Sequence, residues 1–151
     1  MNDLIVGRSF GVLYRRTQAV IIATCRKLGL TYGEYALLMN LYQAEPGVLS
    51  QDDLSVSLCV DKAAVTRSLK SLEAKGLVSR ERDAGDRRRN RLSITDAGRV
   101  ETEKMQRVLH DWLELISTDW TRREKDSYRE HLGRMAETAG KVDVEAFLET
   151  H

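Results

Sequence analysis

The sequence predicts a mainly α-helical fold with one small β-hairpin, in the element order α-α-α-α-β-β-α-α. Three observations support this prediction. Apolar residues recur at helical spacing along most of the chain, two Thr-x-x-Glu segments mark helix starts, and one alternating stretch flanks a polar, arginine-rich segment. The single proline, Pro46, agrees with a mostly helical chain because proline breaks helix interiors.

The first predicted helix covers residues 4–28 and ends at Gly29. One stripe of this helix carries residues spaced three or four apart: Phe10, Leu13, Thr17, Val20, Thr24 and Leu28. Further apolar residues lie off that stripe, at Ile5, Val12 and Ile22. The helix therefore has more apolar surface than one face of a monomer needs.

Two short helices are predicted next. Thr31 and Glu34 form a capping box that opens the second helix, and the Pro46-Gly47 turn closes that segment. Ser50 caps the third helix, whose first turn carries two aspartates that favour a helix N-terminus.

The fourth helix is predicted to start after its cap, Asp61, to run to about Lys75, and to end at Gly76. Its inner face is formed by Val65, Leu69 and Leu72. Its outer face carries Lys62, Ala63, Thr66, Arg67 and Lys70. A helix that reads a DNA major groove buries one face and presents short, polar or basic side chains on the other. A basic surface helix without a ligand has the same composition.

The hairpin is predicted from strands at residues 77–82 and 91–95, with a polar loop at 83–90 between them. Six arginines and no lysine lie in this region: Arg80, Arg82, Arg87, Arg88, Arg89 and Arg91. Arginine suits phosphate groups and narrow minor grooves. A compact tip with three consecutive arginines favours a nearby polyanion, and the alternative is a flexible, solvated loop.

Two long helices follow the hairpin. Thr95 caps a helix at about 96–119, and the capping box of Thr121 and Glu124 opens the next one. Residues 142–148 are a candidate for a short final helix. The middle of the chain thus reads helix, tight turn, helix and hairpin, which is the winged helix-turn-helix arrangement.

Two segments of the chain resemble the MarR family of transcriptional regulators. Residues 86–98, DRRRNRLSITDAG, resemble the wing signature D-R-R-x-x-x-x-x-L-T-x-x-G of that family. Residues 61–67 and 72–78 resemble its recognition helix and the strand that follows. The chain departs from the pattern at Ile94, where leucine is usual, and at Ala63, where serine or threonine is common.

The resemblance implies a cytoplasmic homodimer that binds pseudo-palindromic double-stranded DNA. Residues 1–30 and 101–151 would be dimerisation helices, and residues 31–100 the winged helix-turn-helix DNA-binding lobe of a single intertwined domain. The two recognition helices would enter major grooves about 34 Å apart, and the wings would reach the flanking minor grooves. The residues assigned to DNA contact are Ser50, Gln51, Lys62, Ala63, Thr66, Arg67, Lys70, Arg87, Arg88 and Arg89. Asp86 would pair with an arginine and shape the wing.

The resemblance also implies a ligand-controlled repressor. The family commonly responds to small aromatic or lipophilic anions bound between the dimerisation helices and the DNA-binding lobe. In this chain the candidate effector residues are Arg15, Arg16, Tyr32 and Tyr35. The alternative for each is an ordinary helix-surface residue or a core aromatic residue.

The cysteines, the histidines and the lack of catalytic motifs argue against an enzyme and against a metal or cofactor protein. Cys25 and Cys59 make no disulfide framework, which fits a reducing compartment, and both are expected to be buried or half-buried. No histidine has metal-ligand spacing, and no nucleophile, phosphate-loop or dinucleotide motif is present. The sequence therefore predicts no enzyme, metal or cofactor. The apolar runs are too short to span a bilayer, and the N-terminus does not resemble an export leader.

Two alternative functions remain open at this point. An oxidant-sensing regulator of the same fold would use Cys25, which lies near the end of the first helix and would need a lowered pKa. A winged helix used only for protein–protein contacts is the other alternative. The arginine-rich hairpin argues against it, because such a hairpin would need an acidic partner.

The formal net charge of +1 averages over two different regions. Residues 61–91 hold ten basic and five acidic side chains, a net charge of +5, whereas residues 101–151 hold eight basic and twelve acidic side chains, a net charge of −4. This asymmetry is consistent with local docking on DNA.

Overall fold

The computed structural model describes residues 3–82 and 90–150, which form seven helices and one hairpin. The elements are α1 (Asp3–Lys27), α2 (Tyr32–Gln43), α3 (Gln51–Leu58), α4 (Lys62–Ala74), β1 (Val78–Arg82), β2 (Asn90–Ile94), α5 (Asp96–Ile116), α6 (Arg122–Ala139) and α7 (Val144–Glu149). The predicted element order is confirmed, and the candidate segment at 142–148 does form a final helix. The chain divides into two compact units, Met1–Leu113 and Glu114–His151.

The predicted caps start the helices. Thr31 and Thr121 each close a capping box with the glutamate three residues later, and the side chain of Asp61 accepts a hydrogen bond from the first turn of α4. Ser50 caps α3 as expected. It also forms a capping box with Asp53, a reciprocal pairing that the sequence analysis did not predict.

The first unit contains a continuous apolar core. Its buried members are Cys25, Leu30, Leu37, Leu38, Leu41, Leu54, Val65, Leu69, Leu72, Leu77, Val78, Leu92, Ile94 and Met105. The predicted inner face of α4 is confirmed, because its three apolar residues are all within this cluster. Helix α4 is therefore anchored along one side, which leaves its opposite face for solvent or a ligand.

The hairpin has an additional backbone partner. Strands β1 and β2 pair antiparallel, with Val78 opposite Ile94. On the other side of β2, the Gly47 amide donates to the Leu92 carbonyl at 3.2 Å, and the Leu92 amide donates to the Leu49 carbonyl at 3.3 Å. Strand β2 thus lies between β1 and residues 47–49. The predicted turn at 46–47 consequently also supports the base of the wing.

Helix α5 begins in close contact with the hairpin. The Thr95 hydroxyl accepts a hydrogen bond from the Gly98 amide at 3.1 Å, which confirms the predicted cap. A Cβ atom placed on Gly98 would lie 2.1 Å from the carbonyl oxygen of Leu77. Only glycine fits this position, because the helix start lies directly against the backbone that enters β1. Helix α5 ends at Ile116, three residues before the predicted end.

The second unit differs from the first in its burial. None of the residues 114–150 is buried. Its interactions include ion pairs of Glu114 with Lys125 and Arg129 and an edge contact between the rings of Trp120 and Tyr128. The exposed large apolar residues of this unit are Leu115, Ile116, Trp120, Leu132, Met135, Val142, Val144, Phe147 and Leu148. Among the helices that the structure describes, none is long and apolar enough to cross a membrane.

Candidate nucleic-acid interface

The N-terminal parts of α3 and α4 are joined by side-chain hydrogen bonds. The Gln51 amide nitrogen donates to the Thr66 hydroxyl oxygen at 2.5 Å, and that hydroxyl donates to the Lys62 carbonyl at 2.7 Å. The structure therefore brings together three residues that the sequence analysis assigned to DNA contact. Because these bonds connect two helices, they fix the outer face of α4 relative to the start of α3.

The outer face of α4 is accessible. Lys62, Ala63, Arg67 and Lys70 are exposed, and Thr66 is half-buried. No ion pair joins Arg67 or Lys70 to any residue in the described ranges. These two cations can therefore meet an external anion without first leaving an acidic partner.

Ser50, which was expected to contact DNA, uses its hydrogen-bond donors within the protein. Its amide donates to the Asp53 carboxylate at 2.8 Å, and its hydroxyl donates to the same carboxylate oxygen at 2.6 Å. Both donors are used within the cap of α3. A phosphate contact by Ser50 would require this cap to open, so the assignment of Ser50 to DNA contact stays a prediction.

Two further cations near the interface have acidic partners within the protein. The Lys62 ammonium lies 2.9 Å from the Asp52 carboxylate, and both side chains are largely exposed. The guanidinium of Arg80 meets the carboxylate of Glu73 through two hydrogen bonds, at 2.9 and 3.2 Å. Arg80 therefore fastens β1 to α4, and its guanidinium already has an acidic partner within the protein.

Below the interface, a buried carboxylate connects three helices. Glu34 is 1% exposed, and its two oxygens lie 2.7 and 2.8 Å from the ammonium of Lys75, which caps the C-terminus of α4. The same ammonium donates to the Gly29 carbonyl after α1 at 2.8 Å. Burial alone raises the pKa of a carboxyl group, but hydrogen bonds, led by that from Lys75, outweigh it and hold the pKa of Glu34 below its ordinary value.

From the sequence, Glu34 is recognisable only as half of a capping box. Its second partner is 41 residues away, and a lysine that follows a predicted helix carries no signal of burial. This ion pair therefore helps to fix the position of α4, and it could not be predicted from the sequence. It connects the end of the candidate reading helix to the junction of α1 and α2.

Part of the candidate interface was assigned to the tip of the wing. Asp86, Arg87, Arg88 and Arg89 lie outside the described residues. Strand β2 directly after this tip is present, and its Arg91 is exposed.

The candidate effector residues Tyr32 and Tyr35 border different cavities. The rings of Tyr32 and Tyr35 lie 6.0 Å apart, but Tyr32 borders a cleft of about 180 Å³ between α2, α3 and α4, whereas Tyr35 borders a separate void of about 10 Å³. Burial raises the pKa of both phenols. Arg15 and Arg16 are exposed on α1 and line neither cavity. A shared effector site for these residues stays a prediction.

The two cysteines occupy opposite environments. Cys25 is buried, and burial raises the pKa of its thiol, which is the opposite of what an oxidant sensor needs. Cys59 is exposed, so the expectation that both cysteines are buried was wrong. The reason is local: Cys59 ends α3 in the left-handed conformation, with φ at 52°, outside the helix face that packs on the core. No metal-binding cluster of His, Cys, Asp or Glu occurs in the ranges 3–82 and 90–150.

The described elements define a winged helix-turn-helix protein. Two helices joined by a tight turn are followed by an antiparallel hairpin, and an accessible, basic helix face adjoins that hairpin. A model described as MarR family matches residues 28–89. This match includes α2, α3, α4 and β1, which are the elements that carry the candidate interface.

The chain is also similar to known proteins. It is 32% identical over 116 residues to the uncharacterized HTH-type transcriptional regulator YdgJ of Bacillus subtilis, covering 77% of this chain and 70% of that protein. A crystal structure of MarR superposes with a TM-score of 0.75 at 31% identity, covering 88% of this chain and 89% of that one. The MepR–DNA complex of Staphylococcus aureus shares the fold, with a TM-score of 0.70 at 20% identity and coverage of 87% and 96%. The chain belongs to the MarR family of transcriptional regulators.

Proposed function

We propose that this chain is a homodimeric, sequence-specific repressor that binds pseudo-palindromic double-stranded DNA in the cytoplasm. The observation that carries the proposal is the accessible outer face of α4, with Arg67 and Lys70 unpaired among the described residues and Thr66 held to α3 by Gln51. A fixed helix face with accessible cations and a short polar side chain is suited to the major groove, where phosphate contacts position and base contacts specify.

Charge distribution supports this proposal. The segment 61–91 has a net charge of +5, whereas 101–151 has a net charge of −4. Local positive charge beside a helix N-terminus attracts phosphates even when the whole chain is nearly neutral. A protein of the same fold, MepR of Staphylococcus aureus, has been crystallised with DNA.

Exposed apolar surface supports the homodimer. In α1, Leu4, Ile5, Phe10, Val12 and Tyr14 are exposed, and α6 and α7 bury no residue. Exposed large apolar side chains in such numbers are typical of a protein–protein interface. A second copy of the chain would cover the segments 1–30 and 101–151 that the sequence predicts as dimerisation helices.

We include release by a small aromatic or lipophilic ligand in the proposal. The cleft beside Tyr32 is mostly apolar and lies between α2 and α4. These helices are close at its edge, since a Cβ atom on Gly33 would lie 3.0 Å from the hydroxyl of Ser68. A ligand that enlarges this cleft would change the position of α4, and with it the affinity for DNA. Arg15, Arg16 and Tyr35 do not line this cleft, and their proposal as effector contacts rests on the family resemblance.

The test of the proposed function is salt-dependent binding to duplexes selected by the protein from a random-sequence pool. Arg67→Ala is expected to weaken binding about tenfold. If Arg67 neutralises one phosphate, the slope of the logarithm of the binding constant against the logarithm of the salt concentration (the salt slope) should become shallower by about 0.9 per protomer. Arg122→Ala is the control, because Arg122 is an exposed arginine of α6 outside the candidate nucleic-acid interface. Selection of no duplex, or binding that salt does not change, would contradict the proposal.

The same experiment separates the two alternatives. A protein–protein module would select no DNA. An oxidant-sensing regulator would bind DNA and lose it on peroxide treatment, with Cys25→Ser abolishing that loss. The burial of Cys25 opposes the second alternative, since the thiolate is the reactive form.

A further inference from the structure

The hydroxyl group of Thr66, on the surface proposed to face DNA, is already used within the protein. It donates to the Lys62 carbonyl at 2.7 Å and accepts from the Gln51 amide nitrogen at 2.5 Å. We propose that Thr66 is a specificity-determining residue that recognises thymine, through contact between its own methyl group and the C5-methyl group of that base. This inference rests on the proposed function.

The two hydrogen bonds limit what the hydroxyl can offer to DNA. A threonine hydroxyl has one proton and two lone pairs. In Thr66 the proton is directed to the carbonyl one turn earlier in α4, and one lone pair is directed to α3. The hydroxyl therefore cannot donate to a base without breaking its bond to Lys62, and one lone pair is left to accept. The methyl group takes no part in these bonds.

The amide of Gln51 is engaged in the same network. Its nitrogen donates to the Thr66 hydroxyl and also lies 3.5 Å from the Lys62 carbonyl oxygen. Glutamine reads adenine by using its amide nitrogen and oxygen together. A Gln51 side chain held in this way is not arranged to read adenine, and it keeps the Thr66 hydroxyl directed towards α3.

The residues around Thr66 suit an approaching base edge. Ala63 lies three residues earlier on the same face of α4, is exposed and has only a methyl side chain. Lys62, Arg67 and Lys70 are exposed around these two residues. Cations on such a face position it on phosphates, whereas contacts to base edges decide the sequence. Among the four bases, thymine alone carries a methyl group in the major groove.

The first test alters the DNA and leaves the protein unchanged. The duplex that the wild type selects from a random-sequence pool is remade with uracil in place of thymine, at one symmetric pair of positions at a time. Uracil keeps the hydrogen-bonding groups of thymine and lacks only the C5-methyl group. One such replacement is expected to weaken binding about tenfold, because the dimer loses two methyl contacts. The salt slope should not change, because no phosphate contact is altered.

The second test decides which part of Thr66 is responsible. Thr66→Ser keeps the hydroxyl and removes the methyl group, so the cost of the same uracil replacement is expected to fall below about twofold. Thr66→Val keeps the methyl group and the shape of the side chain, so the cost should stay at about tenfold. If the remaining lone pair of the hydroxyl were the reading group, serine would keep wild-type affinity for the selected duplex and valine would not.

Thr138→Ser is the matched control. The Thr138 hydroxyl donates to the Arg134 carbonyl at 2.9 Å, so this exposed residue of α6 makes the same bond to the preceding turn of its helix. Its methyl group lies outside the candidate nucleic-acid interface. Thr138→Ser should therefore retain the full cost of the uracil replacement.

Three outcomes would overturn the inference. If no uracil replacement weakens binding by the wild type, no thymine methyl group is read. If Thr66→Ser retains the full cost of every replacement, another residue or the shape of the duplex is responsible. If Thr66→Val loses the cost, the methyl group is not the reading group, because valine retains it. If the wild type selects no duplex, the proposed function itself fails, which is a separate result.

Discussion

The first unit and the C-terminal unit differ in how much apolar surface they bury. The described part of residues 3–113 buries fourteen apolar residues, from Cys25 to Met105, in one cluster, whereas residues 114–150 bury none. Both regions have well-formed helices with capping boxes. Because helices of this length depend on packing more than on propensity, the first unit supplies its own core, and the lack of one in the second agrees with the proposed homodimer.

The ion pairs of the two units also differ in what they connect. In the first unit, the ion pairs of Glu34 with Lys75 and of Glu73 with Arg80 connect separate elements. In the second unit, several ion pairs of α6 join residues three or four apart on that helix, as in Glu130 with Arg134. Pairs of the latter kind add a few tenths of a kcal/mol each, so they support a helix without fixing it against a neighbour.

The largest expected effect concerns Gly98. Gly98→Ala places a methyl group 2.1 Å from the Leu77 carbonyl oxygen, so α5 or the hairpin must move. We expect a loss of about 4 kcal/mol in the free energy of unfolding, at the upper end of overpacking effects. Urea unfolding followed by circular dichroism measures this change.

Gly133→Ala is the matched control in the second unit. A Cβ atom on Gly133, which lies in α6, would meet nothing within 4 Å. Alanine favours a helix interior over glycine by about 1 kcal/mol, so this variant should be slightly more stable. A clear destabilisation instead would show that this side of α6 is covered in the folded assembly. A Gly98→Ala protein as stable as the wild type would contradict the close contact between α5 and the hairpin.

The second prediction concerns the partner surface. Leu148 in α7 is 64% exposed, and Leu148→Glu is expected to weaken the dimer by about 3 kcal/mol, or roughly 150-fold in Kd, because a two-fold interface carries each change twice. Sedimentation equilibrium measures the dissociation constant.

Val56→Glu provides the comparison for this variant. Val56 in α3 is 77% exposed and lies outside the segments proposed for dimerisation. Its substitution should leave the dimer constant unchanged. Equal weakening by both variants would remove the distinction between the two units, and an unchanged dimer in Leu148→Glu would exclude α7 from the interface.

The third prediction concerns the buried ion pair. The pKa of Glu34 is lowered in the folded protein, so its stabilisation is fully present above the ordinary carboxyl pKa of about 4.3 and is lost as the pH falls through the folded value. Glu34→Gln is therefore expected to cost about 2 kcal/mol at neutral pH, because it leaves Lys75 without its carboxylate. The difference from the wild type should shrink below pH 4.3.

Glu137→Gln is the control for this titration. Glu137 forms its ion pair with Lys141 on the exposed surface of the second unit, and its removal should have a much smaller effect at neutral pH. Denaturant unfolding at a series of pH values gives both curves. A difference between Glu34→Gln and the wild type that stays constant with pH would show that the pair does not stabilise the fold through its charge.

Local features of the fold were predictable from the sequence, and long-range ones were not. The caps at Thr31, Asp61 and Thr121 depend on residues three apart, and the inner face of α4 follows from helical periodicity. The partner of Glu34 could not be predicted, because nothing in the local pattern selects Lys75 among nearby lysines. The pairing of Gly47 with Leu92 was missed for the same reason, since a three-residue segment has no strand period to detect.

For the candidate site too, the local features were predictable from the sequence and the contacts between elements were not. Periodicity placed Arg67 and Lys70 on an open face, and the structure agrees. Periodicity could not show that the donors of Ser50 are used by Asp53, or that Glu73 holds Arg80. These assignments depend on which acidic side chain is nearest in space, and that is decided by packing between elements.

The backbone bonds of Leu92 have a consequence for association between chains. Strands at the edge of a sheet offer unpaired amide and carbonyl groups that can recruit a strand from another molecule. Strand β2 has β1 on one side and residues 47–49 on the other, so at Leu92 it presents no such edge. A basic hairpin that is proposed to contact DNA is in this way protected, at Leu92, from aggregation through strand addition.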